Sequence, residues 1–456
     1  MEFNREKIIV IGGNDAGLSA AGRAKRLRPD LEIIVIEKTP FIGYASCGFP
    51  YFISGRVMRK SVSGPSIEEI ENRRGFQVWT NHEAVQLDLL KRHVAIKSLL
   101  NGEEKRVRFS KLVLATGARP LIPQAAKINA DNIFTLRNFA DAERLDNYIK
   151  TNSPQKALVL GAGFLGLEMA EALRQRGLQI VIIDQAPKLF QNYADKIAAI
   201  IEESIQSSSV ELILDEKVAQ FDIENNRVQN AHLVKNGITE TDIVLLATGI
   251  EPNVALAKNA RIPLGKSGAI LVNNRQETRR MDIYAVGDCA ESQHLVTKKS
   301  AWLPFAGIAS KQGRVAGTNI AGKRMLFPGA LGTAMAKTFG LEYGHTGLSL
   351  SQAREAGFNA IETVITAYSK SEYMTDATEI TVALVSDLTT KKLLGAQVVG
   401  KADAGQRLNI LATAIAGHIS LHELEYLDFG YTPMISNIWD PIAIAGNAAQ
   451  KKTKEK

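Results

Sequence analysis

One pattern occurs twice in this chain and restricts its fold more than any other feature. An apolar run at Ile8–Ile11 leads into Gly12-Gly13-Asn14-Asp15-Ala16-Gly17, then a helical stretch, then a second apolar run at Ile33–Ile36 ended by Glu37. Further on, Ala157–Leu160 leads into Gly161-Ala162-Gly163-Phe164-Leu165-Gly166, a helical stretch, and Ile180–Ile183 ended by Asp184. Each copy reads as a βαβ unit of the dinucleotide-binding kind. The first glycine allows the tight turn, and the next lets backbone N–H groups approach a pyrophosphate at the helix N-terminus. The last glycine lets helix and strand pack closely, and the terminal acid takes ribose hydroxyls. The second copy is complete. The first carries Asn14 where the second glycine belongs, and Asn tolerates the left-handed conformation better than most residues, so the turn is expected to survive.

Two further elements repeat. Leu112-Val113-Leu114-Ala115-Thr116-Gly117-Ala118-Arg119-Pro120 is echoed by Val244-Leu245-Leu246-Ala247-Thr248-Gly249-Ile250-Glu251-Pro252. Each is a buried strand that ends in a Gly turn and a Pro stop, suited to crossing between domains. Ile283–Val286 then reads as a strand with Asp288 just beyond its carboxyl end, where doubly wound sheets bind ligands. Two dinucleotides in one chain imply electron transfer between them: FAD in the first unit, completed by the strand before Asp288, and NAD in the second. Asp184 favours NADH, because an acid repels a 2′-phosphate, while Lys188 is near enough to leave NADPH open.

Length and composition set the outer limits. A chain of 456 residues calls for about three domains. The excess of 55 Lys+Arg over 48 Asp+Glu suits anionic ligands. No nucleic-acid motif accompanies it, so the charge reads as solvated surface plus the basic tail 451–456. Apolar runs fall well short of the roughly 18 residues needed to span a bilayer. Residues 1–7 run straight into the first strand and read as leaving no room for a signal peptide. The expectation is a soluble, cytoplasmic protein that binds neither membrane nor nucleic acid. Seven scattered His without ligand spacing give no reason to expect a metal site.

Only two cysteines are present, Cys47 and Cys289, which excludes a disulfide framework and fits a reducing compartment. Cys289, in Val286-Gly287-Asp288-Cys289-Ala290, reads as a small packed residue. Cys47, in Gly43-Tyr44-Ala45-Ser46-Cys47-Gly48-Phe49-Pro50-Tyr51, follows the end of a dinucleotide unit and has no second cysteine nearby. Gly48 offers close backbone approach, and Pro50 suits the first turn of a short helix running on to Gly55. A sulfur at that helix N-terminus is expected to favour the thiolate. A lone thiol there points to redox chemistry beside a flavin.

With these residues the chain resembles the pyridine nucleotide-disulfide oxidoreductase family over nearly its whole length. The carriers are the two βαβ units, the two Ala-Thr-Gly turns, Val286-Gly287-Asp288 and a C-terminal region like the family's dimerisation domain. The implied fold is α/β: two Rossmann-like domains and a C-terminal α+β dimerisation domain. The implied boundaries are 1–120 with 247–325 for FAD, 121–246 for NAD(P)H and 326–450 for dimerisation. Lys38, Thr116, Gly117 and Ser310 join the implied FAD contacts, and Leu165, Glu168 and Gly249 the NAD(P)H contacts, with Phe164 as a movable aromatic gate.

Cys47 lacks the partner cysteine of the glutathione-reductase-like members, so the resemblance is to the single-cysteine branch. Ala45–Tyr51 is most similar to coenzyme A disulfide reductases and CoA-dependent persulfide or polysulfide reductases, whose cysteine is followed by Gly, an aliphatic residue, Pro and an aromatic. The resemblance implies CoA contacts at Ser19, Arg23, Arg26, Ser46 and Arg74, guanidinium groups suiting phosphates. It also implies a homodimer in which Tyr373 and Tyr431 serve the catalytic centre. This chain departs from the pattern at Gly43, where Ser is usual, and at Ser46, where Asn is usual. The implied reaction is NAD(P)H-driven reduction of a Cys47–S–S–CoA mixed disulfide. One alternative is an NADH peroxidase or oxidase cycling Cys47 through sulfenic acid, although such enzymes use a His in the first Gly-rich turn, where Asp15 stands here. Another is a flavin-binding redox sensor without turnover.

Overall fold

The computed structural model describes residues 6–454; residues 1–5, which bear on the signal-peptide reading, and 455–456 lie outside the described residues. The duplication extends well beyond the glycine turns. One parallel sheet runs in the order Ile283–Ala285, Lys111–Leu114, Lys7–Ile11, Glu32–Ile36, Gln77–Trp79. A second parallel sheet runs Ile133–Phe134, Ile243–Leu246, Lys156–Leu160, Gln179–Ile183, Glu211–Ile213. In both, the strand before the Gly-rich turn lies at the centre. Each sheet also receives a three-stranded antiparallel meander between its outermost strand and the strand that leads to the Ala-Thr-Gly turn: His82–Arg108 in the first, Val218–Glu240 in the second.

The central strands are continuous apolar runs because both of their faces are covered. Ile8 and Val10 pack with Ala20, Ala24 and Ala316 on the helical face, while Ile9 and Ile11 pack with Val94, Ile96 and Phe109 on the meander face. All four are under a tenth exposed, and each such side chain contributes about 1.5–3 kcal/mol of transfer free energy. The repeated Gly-turn-Pro segments meet one another. Ala118–Pro120 pairs antiparallel with Ile250–Pro252, so the two crossings form one two-stranded ribbon, with Arg119 pairing to Glu251 at 2.9 Å.

The C-terminal part is an antiparallel five-stranded sheet in the order Ala334–Thr338, Leu341–Gly347, Leu393–Gly400, Glu379–Asp387, Ala360–Tyr368. Helices Ala404–Ala416 and Pro441–Lys454 pack with it around Leu384, Val398, Leu408 and Ile442. The start of the expected basic tail is therefore helix: Thr453 is buried, and its carbonyl accepts from Lys391 Nζ at 2.7 Å. No helix among the described residues is long and apolar enough to cross a membrane.

Candidate active site

The two Gly-rich turns are built by the same set of contacts. Gly12 N–H donates to Ile36 O, and Gly161 N–H to Ile183 O, both at 2.8 Å. Both glycines have positive φ (112° and 107°), and a Cβ on either would sit 2.0 or 2.3 Å from the carbonyl oxygen of Ala115 or Ala247. Only glycine fits. A Cβ on Gly17 or Gly166 would lie 1.9 Å from the carbonyl oxygen of Gly12 or Gly161, which accounts for the third glycine of each motif. The second position is different. Asn14 and Gly163 are both extended (φ −110° and −75°), so the left-handed tolerance expected of Asn14 is not used. A Cβ on Gly163 would meet nothing, and that space is open toward the helix N-terminus.

The terminal acids brace these turns as well as facing outward. Glu37 Oε2 accepts from Gly13 N–H at 2.8 Å, and its Oε1 accepts from the Thr39 N–H and hydroxyl. Asp184 Oδ2 accepts from Ala162 N–H at 2.7 Å and Oδ1 from Ala186 N–H at 2.8 Å. A carboxylate offers about four lone-pair sites, so Asp184 keeps capacity on both oxygens for ribose hydroxyls. Lys188 is committed elsewhere: its ammonium donates to Tyr193 O at 3.0 Å and pairs with Asp195.

A cleft of about 610 Å³ opens at the carboxyl ends of the first sheet. The Gly12–Gly17 turn, Glu37, Lys38, Thr116, Gly117 and Asp288 line it, as expected, and Ser46 and Cys47 stand in the same wall. Asn14 faces it with a buried Oδ1 that has no hydrogen-bond partner. The residues fit a dinucleotide: donors at a helix N-terminus, a ribose acid, and an orphan acceptor. Sequence reasoning missed several wall residues, above all Arg137, whose Nη2 pairs with Asp288 at 2.6 Å and whose Nε donates to Ala118 O at 3.0 Å. Nothing in the local sequence marked Arg137, because it reaches the cleft from beyond the Ala118–Pro120 crossing. The Thr116 hydroxyl is turned to Asn253 O at 2.6 Å. Beyond the cleft, Gly249 closes the mirror turn with φ +106°.

The cysteine loop is fastened to the dinucleotide turn by Gly43 N–H, which donates to Gly13 O at 2.9 Å. Ser46–Gly48 forms one 3-10 turn and Phe49–Ile53 a short helix with Pro50 in its first turn. Phe49 and Ile53 bury against Phe139 and its neighbours, which anchors the loop to the core. The close approach at Gly48 is to Val62, whose Cγ1 would be 2.7 Å from a Cβ. Cys47 is exposed to the cleft, yet partial desolvation, then the charges of Glu168 and Asp15, push its thiol upward, with the Ser46 hydroxyl opposing. These push against the thiolate bias expected from the helix end. Glu168, desolvated and beside Glu171, is itself pushed up to about 7. Cys289 is buried, donating toward Leu114 O and Val286 O, as its packed role required.

Other expected residues lie apart from the cleft. Phe164 and Leu165 open the second Rossmann helix, and Phe164 stacks on Tyr343 (5.9 Å, 15°) and His345 (6.0 Å, 19°). Ser19 donates to Ser310 O at 2.8 Å and Arg23 to Thr318 Oγ1 at 3.0 Å, so both are engaged by the helix Ala306–Ile320. Arg26 and Arg74 are exposed. Tyr373 and Tyr431 are exposed at 73% and 47% and do not line the cleft of their own chain.

The family description "Pyridine nucleotide-disulphide oxidoreductase" matches residues 6–313, and that of its dimerisation domain matches residues 333–441. The chain belongs to the pyridine nucleotide-disulphide oxidoreductase family. Membership carries the family's two dinucleotides, FAD and NAD(P)H, which are the ones the paired turns accommodate. A CoA-dependent NAD(P)H sulfur oxidoreductase of Pyrococcus furiosus is 34% identical over 97% of this chain and 98% of its own. The structure of reduced Bacillus anthracis CoADR-RHD superposes with a TM-score of 0.95 at 31% identity, over all of this chain and 82% of that one. An NADH oxidase of Methanocaldococcus jannaschii is 32% identical over 99% of this chain and 100% of its own.

Proposed function

We propose that this oxidoreductase reduces coenzyme A disulfide, or a related CoA persulfide or polysulfide, with NAD(P)H, through a mixed disulfide between Cys47 and CoA. The observation that carries this reading is the isolation of Cys47. It stands in the wall of the dinucleotide cleft, while the other thiol, Cys289, is sealed in the core. The second sulfur of a redox disulfide must therefore arrive with the substrate. The names of the Pyrococcus and Bacillus relatives support the same chemistry.

Residues 1–120 and 247–325 would hold FAD, residues 121–246 NAD(P)H, and 326–450 would form a homodimer, in a cytoplasmic enzyme that needs neither membrane nor nucleic acid. Glu37 and Asp288 orient the first dinucleotide and Asp184 the second, with Phe164 covering the nicotinamide position until the nucleotide displaces it. Bound FAD would supply the electron pair, taken from NAD(P)H as hydride. The Cys47 thiolate attacks the CoA disulfide, its S–S bond breaks, and one CoA thiolate leaves as Cys47–S–S–CoA forms. Two-electron reduction of this mixed disulfide would return the Cys47 thiolate and release the second CoA thiolate. Tyr431 or Tyr373 of the partner subunit donates the proton that the departing thiolate takes up. Exposed Arg26 and Arg74, with Ser19, Arg23 and Ser46, form the surface that meets CoA phosphates.

The likeness to an NADH oxidase favours one second reading, in which Cys47 cycles through sulfenic acid. Anaerobic NADH oxidation by the FAD-bound protein separates the two when CoA disulfide, CoA persulfide, polysulfide and peroxide are offered in parallel. Fast turnover with a CoA acceptor, lost in Cys47→Ser while FAD stays bound, is expected. Turnover with peroxide alone, or CoA disulfide reduction that survives Cys47→Ser, would overturn the proposal, and absence of any turnover would leave a redox sensor.

A further inference from the structure

Among the described ion pairs, Arg407–Asp440 is the one with both side chains below a tenth exposed, at 6% and 7%. Arg407 lies in the first turn of the helix Ala404–Ala416. Its Nη2 donates to Asp440 Oδ2 at 2.8 Å and its Nε to the same oxygen at 3.1 Å. Nη2 also donates to Ser369 O at 2.8 Å. Asp440 Oδ1 accepts from Ile442 N–H at 2.9 Å, at the start of the last helix.

The two anchors are the bases of two different excursions from the C-terminal sheet. Ser369 opens the loop that carries Tyr373 and closes its neck by donating its N–H to Thr378 O at 2.8 Å. Asp440 ends the segment that carries Tyr431. There the turn is pinned by the Ser436 hydroxyl, which donates to Gly430 O at 2.9 Å and accepts from Thr432 N–H at 3.3 Å. One guanidinium therefore joins the stems of both tyrosine-bearing segments. A buried ion pair is weak evidence for stability, because desolvation of two charges offsets most of their attraction. Its geometry is the more informative property, since the planar fork of arginine fixes two acceptors at once, which the point charge of lysine cannot do.

We propose that Arg407 is a positioning residue that sets the spacing of Tyr373 and Tyr431, and so the delivery of the proton to the leaving CoA thiolate. This rests on the proton-donor reading of the two tyrosines given above.

The test compares Arg407→Lys, Asp440→Asn, the double variant Tyr373→Phe with Tyr431→Phe, and the triple variant that adds Arg407→Lys, all as FAD-bound full chains. Sedimentation gives the dimer, anaerobic bleaching by NADH gives the first half-reaction, and the pH profile of kcat with CoA disulfide reports proton delivery. Arg407→Lys and Asp440→Asn are expected to keep the dimer and the rate of bleaching, and to lower kcat by about tenfold or more with a displaced alkaline limb. The triple variant is expected to be no slower than the tyrosine double variant. Losses that multiply in the triple variant, or a kcat for Arg407→Lys within about twofold of the parent, would overturn the positioning role. If Arg407→Lys dissociates, Asp440→Asn decides by the same criteria; if both dissociate, the pair holds the dimer together and the positioning role is overturned. Parental kcat in the tyrosine double variant would instead overturn the proton-donor reading and remove the proposal's basis, an outcome visible without any change at Arg407.

Discussion

Arg137 pairs with Asp288 at 2.6 Å, although 151 residues separate them in sequence. Asp288 also raises the carboxyl of Asp15 through charge repulsion, second to burial. The arginine thus offsets Asp288, which shares one cleft wall with Asp15. Arg137→Met is expected to weaken FAD retention by about tenfold or more, since it leaves a partly buried carboxylate without its charge-assisted partner. Fluorescence titration of the apoprotein with FAD measures this. Unchanged affinity would mean that the pair only braces the crossing at Ala118.

On the proposed function, Asp184 would set the choice of nicotinamide nucleotide, because its remaining acceptor capacity suits ribose hydroxyls and its charge opposes a 2′-phosphate. Lys188 does not offset it while paired with Asp195. Asp184→Ser is expected to lower kcat/KM for NADH and raise it for NADPH, changing their ratio by roughly tenfold to a hundredfold. Asp195→Ala, added to it, releases Lys188 and should move the ratio further. Equal use of both nucleotides by the parent enzyme would show that Asp184 does not discriminate.

Alkylation of Cys47 should accelerate with pH, since the thiolate is the nucleophile and burial, then its carboxylate neighbours, hold the thiol high. Glu168, which titrates at about 7, is uncharged well below that pH and charged above it. Glu168→Gln should therefore leave the rate at pH 6 nearly unchanged and raise it about two- to fivefold at pH 8. A single iodoacetamide time course at each pH is sufficient, and an equal effect at both pH values would exclude the electrostatic explanation.

His345 accepts or donates a 2.9 Å hydrogen bond with the Tyr193 hydroxyl, and burial lowers its pKa to about 4. The folded state excludes a proton that the unfolded chain binds below about pH 6.5. Stability is therefore full above that pH and is lost as pH falls from about 6.5 to 4, by up to about 3 kcal/mol. His345→Asn should flatten the dependence of Tm on pH across this window. A parent Tm that is constant from pH 6.5 to 4 would contradict the assignment.

Much of this molecule was determined by sequence alone. The doubled Gly-rich turns, their terminal acids and the paired Ala-Thr-Gly segments are local signals, because each depends on a φ angle, a close approach or a strand end encoded within a few residues. Gly12, Gly17, Gly161 and Gly166 are where they are because a Cβ would collide with a backbone carbonyl. The isolation of Cys47 was equally legible, since it needed only a count of cysteines. What the tertiary structure decided was everything that depends on distant partners. Arg137 enters the cleft from the bend before the helix Phe139–Asn152, Ser19 and Arg23 are taken up by the helix Ala306–Ile320, and Lys188 is claimed by Asp195. Burial and the charges of Glu168 and Asp15 push the Cys47 thiol upward, against the bias expected from the helix end beside it. Charge and solvation act through space, so residues far apart in the chain set them, and no local pattern records them.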